Sequence, residues 1–287
     1  MALFFCFPRP ACNKNAPGVY RFSTGVSARE KQGNHNLLYI YFMVTFALYN
    51  LKGGVGKTAA AINLAYLSAV DGKKTLIWDL DPQGSASFYL RAQPSTRNES
   101  KKILLSEMTL KEAVQDSAFE NLWIIPADLS ARNADLLLDD RKQSKKRFKS
   151  LLATLHDFAV VILDCPPGIS LLHDNIFHAA NWILMPNIPT TLSIRSYETV
   201  LDYFGENELD SSKIKCFFSM VDHRKNLHHE TMQAFYKDKV FFKNYIPYLS
   251  DVEKMGIHQE PLFEYANTSY AARCYRDLWN EIKKNCL

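Results

Sequence analysis

Short apolar runs alternate with stretches of helical spacing along most of this chain. Compact runs at 44–49, 74–79, 122–126, 159–164, 182–185, 215–221 and 240–246 read as strands. Between them, 59–67, 110–114, 129–138, 141–155, 191–204 and 227–236 read as helices. A closing helix over 269–284 carries Ala271, Ala272, Cys274, Tyr275, Leu278, Trp279 and Ile282 at helical spacing. The polar stretch 91–103 reads as a surface loop. Several of the strand runs are continuously apolar, the mark of strands buried on both faces. Strands alternating with helices predict a doubly wound α/β fold, a mostly parallel twisted sheet with helices on both sides. No internal repeat and no second core is visible, so 43–287 reads as one domain.

Residues 1–42 differ from the rest. Pro8, Pro10 and Pro17 interrupt any periodicity, and a packed element is not expected there. A secretory signal fits poorly, because its apolar core would be too short and lacks a basic start. A transit peptide fits the arginines and the scarcity of acids, but the prolines spoil its helix. The favoured readings are a disordered leader or a start assigned too far upstream, with Met43 opening the functional chain. The apolar run 37–49 has 13 residues, short of the about 20 needed to cross a bilayer.

Charge and cysteine content narrow the function classes. The formal net charge of +4 resides in 1–42, where Arg9, Lys14, Arg21, Arg29 and Lys31 face Glu30 alone. The body is therefore balanced, and attraction to nucleic acid would have to come from local patches. The six cysteines are scattered with no Cys-x-x-Cys pair, against a zinc ribbon or disulfide framework and in keeping with a reducing compartment.

The chemistry gathers where strands end. Lys52-Gly53-Gly54-Val55-Gly56-Lys57-Thr58 lies between the first strand and the first helix. Glycines turn the backbone so that successive N–H groups line one concavity, and the helix aims its positive end there. Lys57 can reach β- and γ-phosphate oxygens, and Thr58 can ligate Mg²⁺. The usual loop has glycine where Leu51 stands, and here Lys52 follows it. The second strand opens into Asp79-Leu80-Asp81-Pro82-Gln83-Gly84, placing acids at the carboxyl end of the sheet, where ligands bind in open α/β folds. The run 159–164 ends at Asp164, the form of a strand whose acid holds Mg²⁺ directly or through water. Asp222, Arg224, His228 and His229 fit a polar turn and helix start better than a metal site, since adjacent histidines point apart on a helix.

With the segment Ser219-Met220-Val221-Asp222-His223-Arg224, these motifs resemble the deviant Walker A P-loop ATPases of the ParA/MinD family, most of all the short Soj-type ParA proteins. The resemblance spans about 43–285 and implies an ATP- and Mg²⁺-dependent, slowly hydrolysing, partner-stimulated dimeric switch for DNA partitioning or intracellular positioning. It implies that Gly53, Gly54, Val55, Gly56, Lys57, Thr58 and Ala59 hold the phosphates, Ala59 replacing the family's second threonine. Thr58 and Asp164 would hold Mg²⁺, and Asp81 would orient the attacking water. Lys52 would reach across a homodimer to the other subunit's nucleotide, and Met220 with the stretch after Ile246 would face adenine. Relatives bind nonspecific DNA in the ATP state, and the run Arg141, Lys142, Lys145, Lys146, Arg147 and Lys149 is one candidate surface. Lys213, Lys215, Lys237, Lys239 and Lys243 form a second, more scattered set.

A ParB-like activating partner and a cytoplasmic, nucleoid-associated location follow from the same resemblance. A MinD-like membrane cycle would need an amphipathic helix beyond the last core helix, and 281–287 adds none. An electron carrier related to the nitrogenase iron protein would need bridging cysteines, for which Cys165 is the nearest candidate. A scaffold that uses ATP as a switch without DNA binding is the remaining alternative. Residues 1–42 are too short and irregular for a DNA-reading helix-turn-helix.

Overall fold

The computed structural model describes residues 43–93, 99–133, 135, 138 and 147–287. Their centre is a seven-stranded sheet in the order β3-β4-β2-β5-β1-β6-β7. The strands are β1 Val44–Leu48, β2 Thr75–Asp79, β3 Gln115–Asp116, β4 Leu122–Ile125, β5 Val160–Asp164, β6 Trp182–Asn187 and β7 Ile214–Phe218. All neighbours run parallel except β3, which pairs antiparallel with β4.

Period-two alternation divides the sheet between two cores. Phe46, Leu48, Ile77 and Ile162 face one side, while Ala47, Leu76, Trp78, Val161 and Leu163 face the other. This explains why apolar residues occupy both alternating faces of these strands. Five helices among the described residues reach nine residues or more: α1 Lys57–Val70, α2 Leu171–Ala179, α3 Thr191–Glu206, α4 Asn226–Ala234 and α5 Tyr270–Cys286. Helices α1 and α5 supply Ile62, Leu64, Leu278 and Trp279 to the first core. Helices α2 and α3 supply Phe177 and Phe204 to the second.

The closing helix α5 is fixed at both ends. Ser269 caps its start by accepting from the Ala272 N–H at 3.1 Å. Near its end Trp279 Nε1 and Lys283 Nζ both donate to Asp71 at 2.8 Å, and the Cys286 carbonyl accepts from Trp182 Nε1 at 3.0 Å.

The register places the chemistry. Asp164 at the end of β5 lies beside Leu48 of β1 and Asp79 of β2. The nucleotide-type loop, the second-strand acids and the fifth-strand acid therefore share the carboxyl edge of the three central strands.

Several sequence expectations change. The run 240–246 is not a strand: it touches the sheet through a bridge between Cys216 and Phe241, with a second at Val221 and Pro247. Its pairing stops because the Glu281 carboxylate captures the N–H groups of Lys243 and Asn244 and the Asn244 side-chain amide, at 2.8–3.0 Å. The polar stretch 91–103 contains the start of a helix, Glu99–Leu105, which buries Ile103 and Leu104. Helix α2 and the short β3 were not expected. Of the helix expected over 129–138, the described part Leu129–Asn133 is 3-10. That expected over 141–155 is described as an α-helix at Arg147–Leu152 and a 3-10 turn at Ala153–Leu155. The leader 1–42 and Arg141, Lys142, Lys145 and Lys146 lie outside the described residues.

Candidate functional site

The loop between β1 and α1 has Gly54 at φ +71 and Gly56 at φ +89, left-handed positions that L side chains adopt at a cost. Its shape is held from three sides. Asn50 accepts from the Lys52 N–H at 2.9 Å and donates to the Pro186 carbonyl and to Asn187 on β6. Ser219, just past β7, donates to the Val55 carbonyl at 2.6 Å. The Lys57 ammonium donates to the Lys52 carbonyl at 3.0 Å, folding the loop onto itself. Lys57 is buried, and desolvation lowers its pKa although Asp164 pulls the other way.

Asp164 is fully buried, and neither carboxylate oxygen has a hydrogen-bond partner among the described residues. Burial, reinforced by Asp79, pushes its carboxyl well above the usual carboxylate range; Thr58 and Lys57 oppose that shift. A buried, unpaired acid beside a hydroxyl is costly for the bare protein, and it fits a hard cation that both groups would ligate. Asp79 has a different office. Its carboxylate accepts from Ser87 N–H at 2.8 Å, Ser87 Oγ at 2.7 Å and Asp81 N–H at 3.2 Å, so it braces the turn after β2. Desolvation raises its pKa to about 6.

Beside these buried acids lies a cavity of about 560 Å³. Gly53, Gly54, Gly56, Lys57, Thr58, Ala59 and Asp81 line one end, and Met220, Ile246, Pro247, Tyr248, Leu249 and Val252 line the other. One end is polar and rich in N–H groups; the other is largely apolar. The Val55 side chain is buried, leaving its backbone to the loop. Met220 sits at φ +52, which turns the chain out of β7 toward the cavity.

Gln83, Ser85, Tyr89, Glu253 and Tyr275 also line the cavity and were not singled out from sequence. Gln83 and Ser85 adjoin Asp81, a usable signal; Tyr89, Glu253 and Tyr275 arrive by tertiary packing and carried none. Tyr248 donates to Glu253 at 2.6 Å, fixing one wall of the apolar end.

Lys52 is reached from outside the cavity. Its ammonium donates to the Leu192 carbonyl, in the first turn of α3, at 2.7 Å. Of the basic run, Arg147 and Lys149 are described, and neither lines this cavity. Arg147 turns inward and donates to the Ile103 carbonyl at 2.6 Å, which removes it from an exposed basic face, whereas Lys149 is exposed. Asp222 is paired with Arg224 at 2.9 Å, and His228 accepts from the Asp222 N–H at 3.0 Å, the polar turn expected there.

A protein-family profile described as an AAA domain matches residues 43–213. The chromosome-partitioning ATPase Soj of Treponema pallidum is 30% identical over 247 residues, covering 83% of this chain and 96% of that protein. The sporulation initiation inhibitor protein Soj of Bacillus subtilis is 28% identical over 248 residues, 83% of this chain and 98% of that protein. Among solved structures, a plasmid partition protein from Borrelia burgdorferi bound to AMPPNP superposes with a TM-score of 0.73. It is 18% identical and covers 84% of this chain and 98% of that one, a likeness of fold. The chain belongs to the ParA-type family of P-loop ATPases, the partition ATPases and their relatives.

Proposed function

We propose that this protein is an ATP-driven switch whose ATP-bound form pairs two copies and holds nonspecific DNA, with hydrolysis to ADP and phosphate releasing both. The observation that carries this reading is one cavity lined by Lys57, Thr58 and Asp81 together with the apolar residues Met220, Ile246 and Leu249, with the buried Asp164 carboxylate beside Thr58 at the end of β5. The ATPase body is taken to begin at Met43.

In this reading the Lys57 ammonium exchanges the Lys52 carbonyl for β- and γ-phosphate oxygens, and the backbone N–H groups of 53–59 donate to the remaining phosphate oxygens. Thr58 and Asp164, the latter directly or through water, would hold Mg²⁺, which would offset negative charge on the phosphates. Asp81, whose Oδ1 also accepts from the Gln83 N–H at 2.9 Å, orients the attacking water by accepting its hydrogen bond. Lys52 leaves Leu192 and meets the nucleotide of the partner copy, where a cation stabilises charge on the transferred group.

The test is light scattering of the full chain with Mg²⁺ and ATP, paired with ATP turnover. Wild type is expected to become dimeric with ATP and to hydrolyse slowly, and Lys52→Ala to lose turnover. A Lys52→Ala protein that dimerises and hydrolyses like wild type overturns the assignment. DNA binding is measured in parallel. ATP-dependent binding that weakens steeply with salt supports the DNA arm, and binding to anionic vesicles in its place supports a membrane cycle.

A further inference from the structure

A histidine outside the phosphate loop is tied to the segment that follows Asp164. His173, in the first turn of α2, is buried, and both ring nitrogens are engaged. Nε2 lies 3.1 Å from the Pro166 carbonyl and Nδ1 lies 3.0 Å from Ser170 Oγ. A carbonyl can only accept, so Nε2 carries the proton and Nδ1 accepts from the serine hydroxyl. One neutral imidazole thus joins two points of 165–170.

A second buried ring completes the clamp. Tyr49, directly after β1, donates to the Gly168 carbonyl at 2.9 Å and packs against His173 with ring centroids 5.2 Å apart. The Gly168 N–H returns to the Leu51 carbonyl at 3.2 Å, and the Cys165 N–H to Leu48 at 3.2 Å. Gly168 sits at φ +106, and Pro167 lines the nucleotide cavity. The loop is therefore pinned between the strand that leads into the phosphate loop and the helix that follows the fifth-strand acid.

We propose that His173 is a positioning residue for ATP hydrolysis, acting through the Pro166 carbonyl and Ser170 to hold segment 165–170 against the phosphate end of the cavity. This rests on the ATPase reading above. Small displacements of groups beside a reacting centre can cost up to about a hundredfold in rate with little effect on binding. The segment touches the nucleotide cavity through Pro167 alone, so the effect falls on turnover more than on affinity.

The experiment compares full-length wild type, His173→Phe and His173→Gln. The phenylalanine keeps an aromatic ring and loses both hydrogen bonds; the glutamine can restore the donor to Pro166. For His173→Phe, kcat is expected to fall roughly ten- to a hundredfold, with KM for ATP and AMPPNP affinity within about threefold of wild type. His173→Gln is expected to recover most of the lost kcat. Hydrogen exchange at the Gly168 amide, with AMPPNP bound, is expected to be faster in His173→Phe. Unchanged kcat, or a fall in kcat matched by equal losses of affinity and thermal stability that glutamine does not repair, overturns the inference. Wild type that binds AMPPNP but never hydrolyses ATP overturns the functional reading instead, and exchange at Gly168 still decides whether His173 holds the segment.

Discussion

The ammonium of Lys57 donates to the carbonyl of Lys52, 3.0 Å away, so the phosphate loop supplies its own lysine with an acceptor. A nucleotide that takes over this lysine exchanges one neutral acceptor for charged ones, and charge-assisted bonds are stronger. Lys57→Ala is therefore expected to lose about 1.5–3 kcal/mol of ATP affinity, roughly ten- to a hundredfold. Its melting temperature should hold or rise, because the substitution also removes a buried ammonium. Titration calorimetry with ATP and a thermal melt check both parts.

Asp164→Asn separates stability from cation binding. The folded-state pKa of Asp164 is raised, so between the unfolded value and the folded one the native state binds the extra proton. Its contribution is favourable at low pH and is lost as pH rises through the folded pKa. Without nucleotide, the variant should melt higher than wild type at pH 7.5 by about 2 °C or more, and by less at pH 5. Addition of Mg²⁺ and ATP should raise the wild-type melting temperature and leave the variant nearly unmoved.

Glu281 reaches from α5 to the segment that leads into the apolar wall of the cavity, accepting from Lys243, Asn244 and the Asn244 side chain. Glu281→Ala leaves those donors to water or unpaired and is expected to destabilise the fold by about 1–3 kcal/mol. Because 246–252 continues from that segment, ATP affinity should also fall several-fold, measured by titration at a temperature where the variant is fully folded.

Arg147 and Lys149 should part company. Arg147→Ala removes the bond to Ile103 and should lower stability by about 1 kcal/mol without altering the salt dependence of DNA binding. Lys149→Glu, on an exposed position, should leave the melt unchanged and weaken DNA binding if this face meets phosphates. A Lys149→Glu protein with wild-type DNA affinity at every salt concentration removes the helix from the DNA surface.

Much of the architecture was legible because it depends on local pattern. Runs such as 159–163 are apolar at every position since both faces of β5 are covered, and the glycines of 53–56 announce a turn that needs positive φ. What was not legible depends on partners remote in sequence. The apolar content of 240–246 foretold burial, and Phe241, Phe242 and Ile246 are buried, but a glutamate on the last helix decides that the segment is not a strand. Helix α2 was hidden by His173, Asp174 and Asn175, polar residues that look like a loop until their burial is known. Asp174 accepts from Tyr203 on α3, and Asn175 donates to the Leu171 carbonyl. Tyr89 and Glu253 gave no local sign of meeting the phosphate loop across a cavity.

The contact between Lys52 and Leu192 has a spare built into it. The Leu192 carbonyl also accepts from Ser196 Oγ at 3.1 Å, one turn further along α3. When the lysine departs, the oxygen keeps a partner, so release costs about one exposed hydrogen bond and strands no acceptor. Leu192 itself is 64% exposed, so water can also reach the vacated position. Such a tether is cheap to undo and easy to restore, which suits the exchange of partners proposed for this side chain.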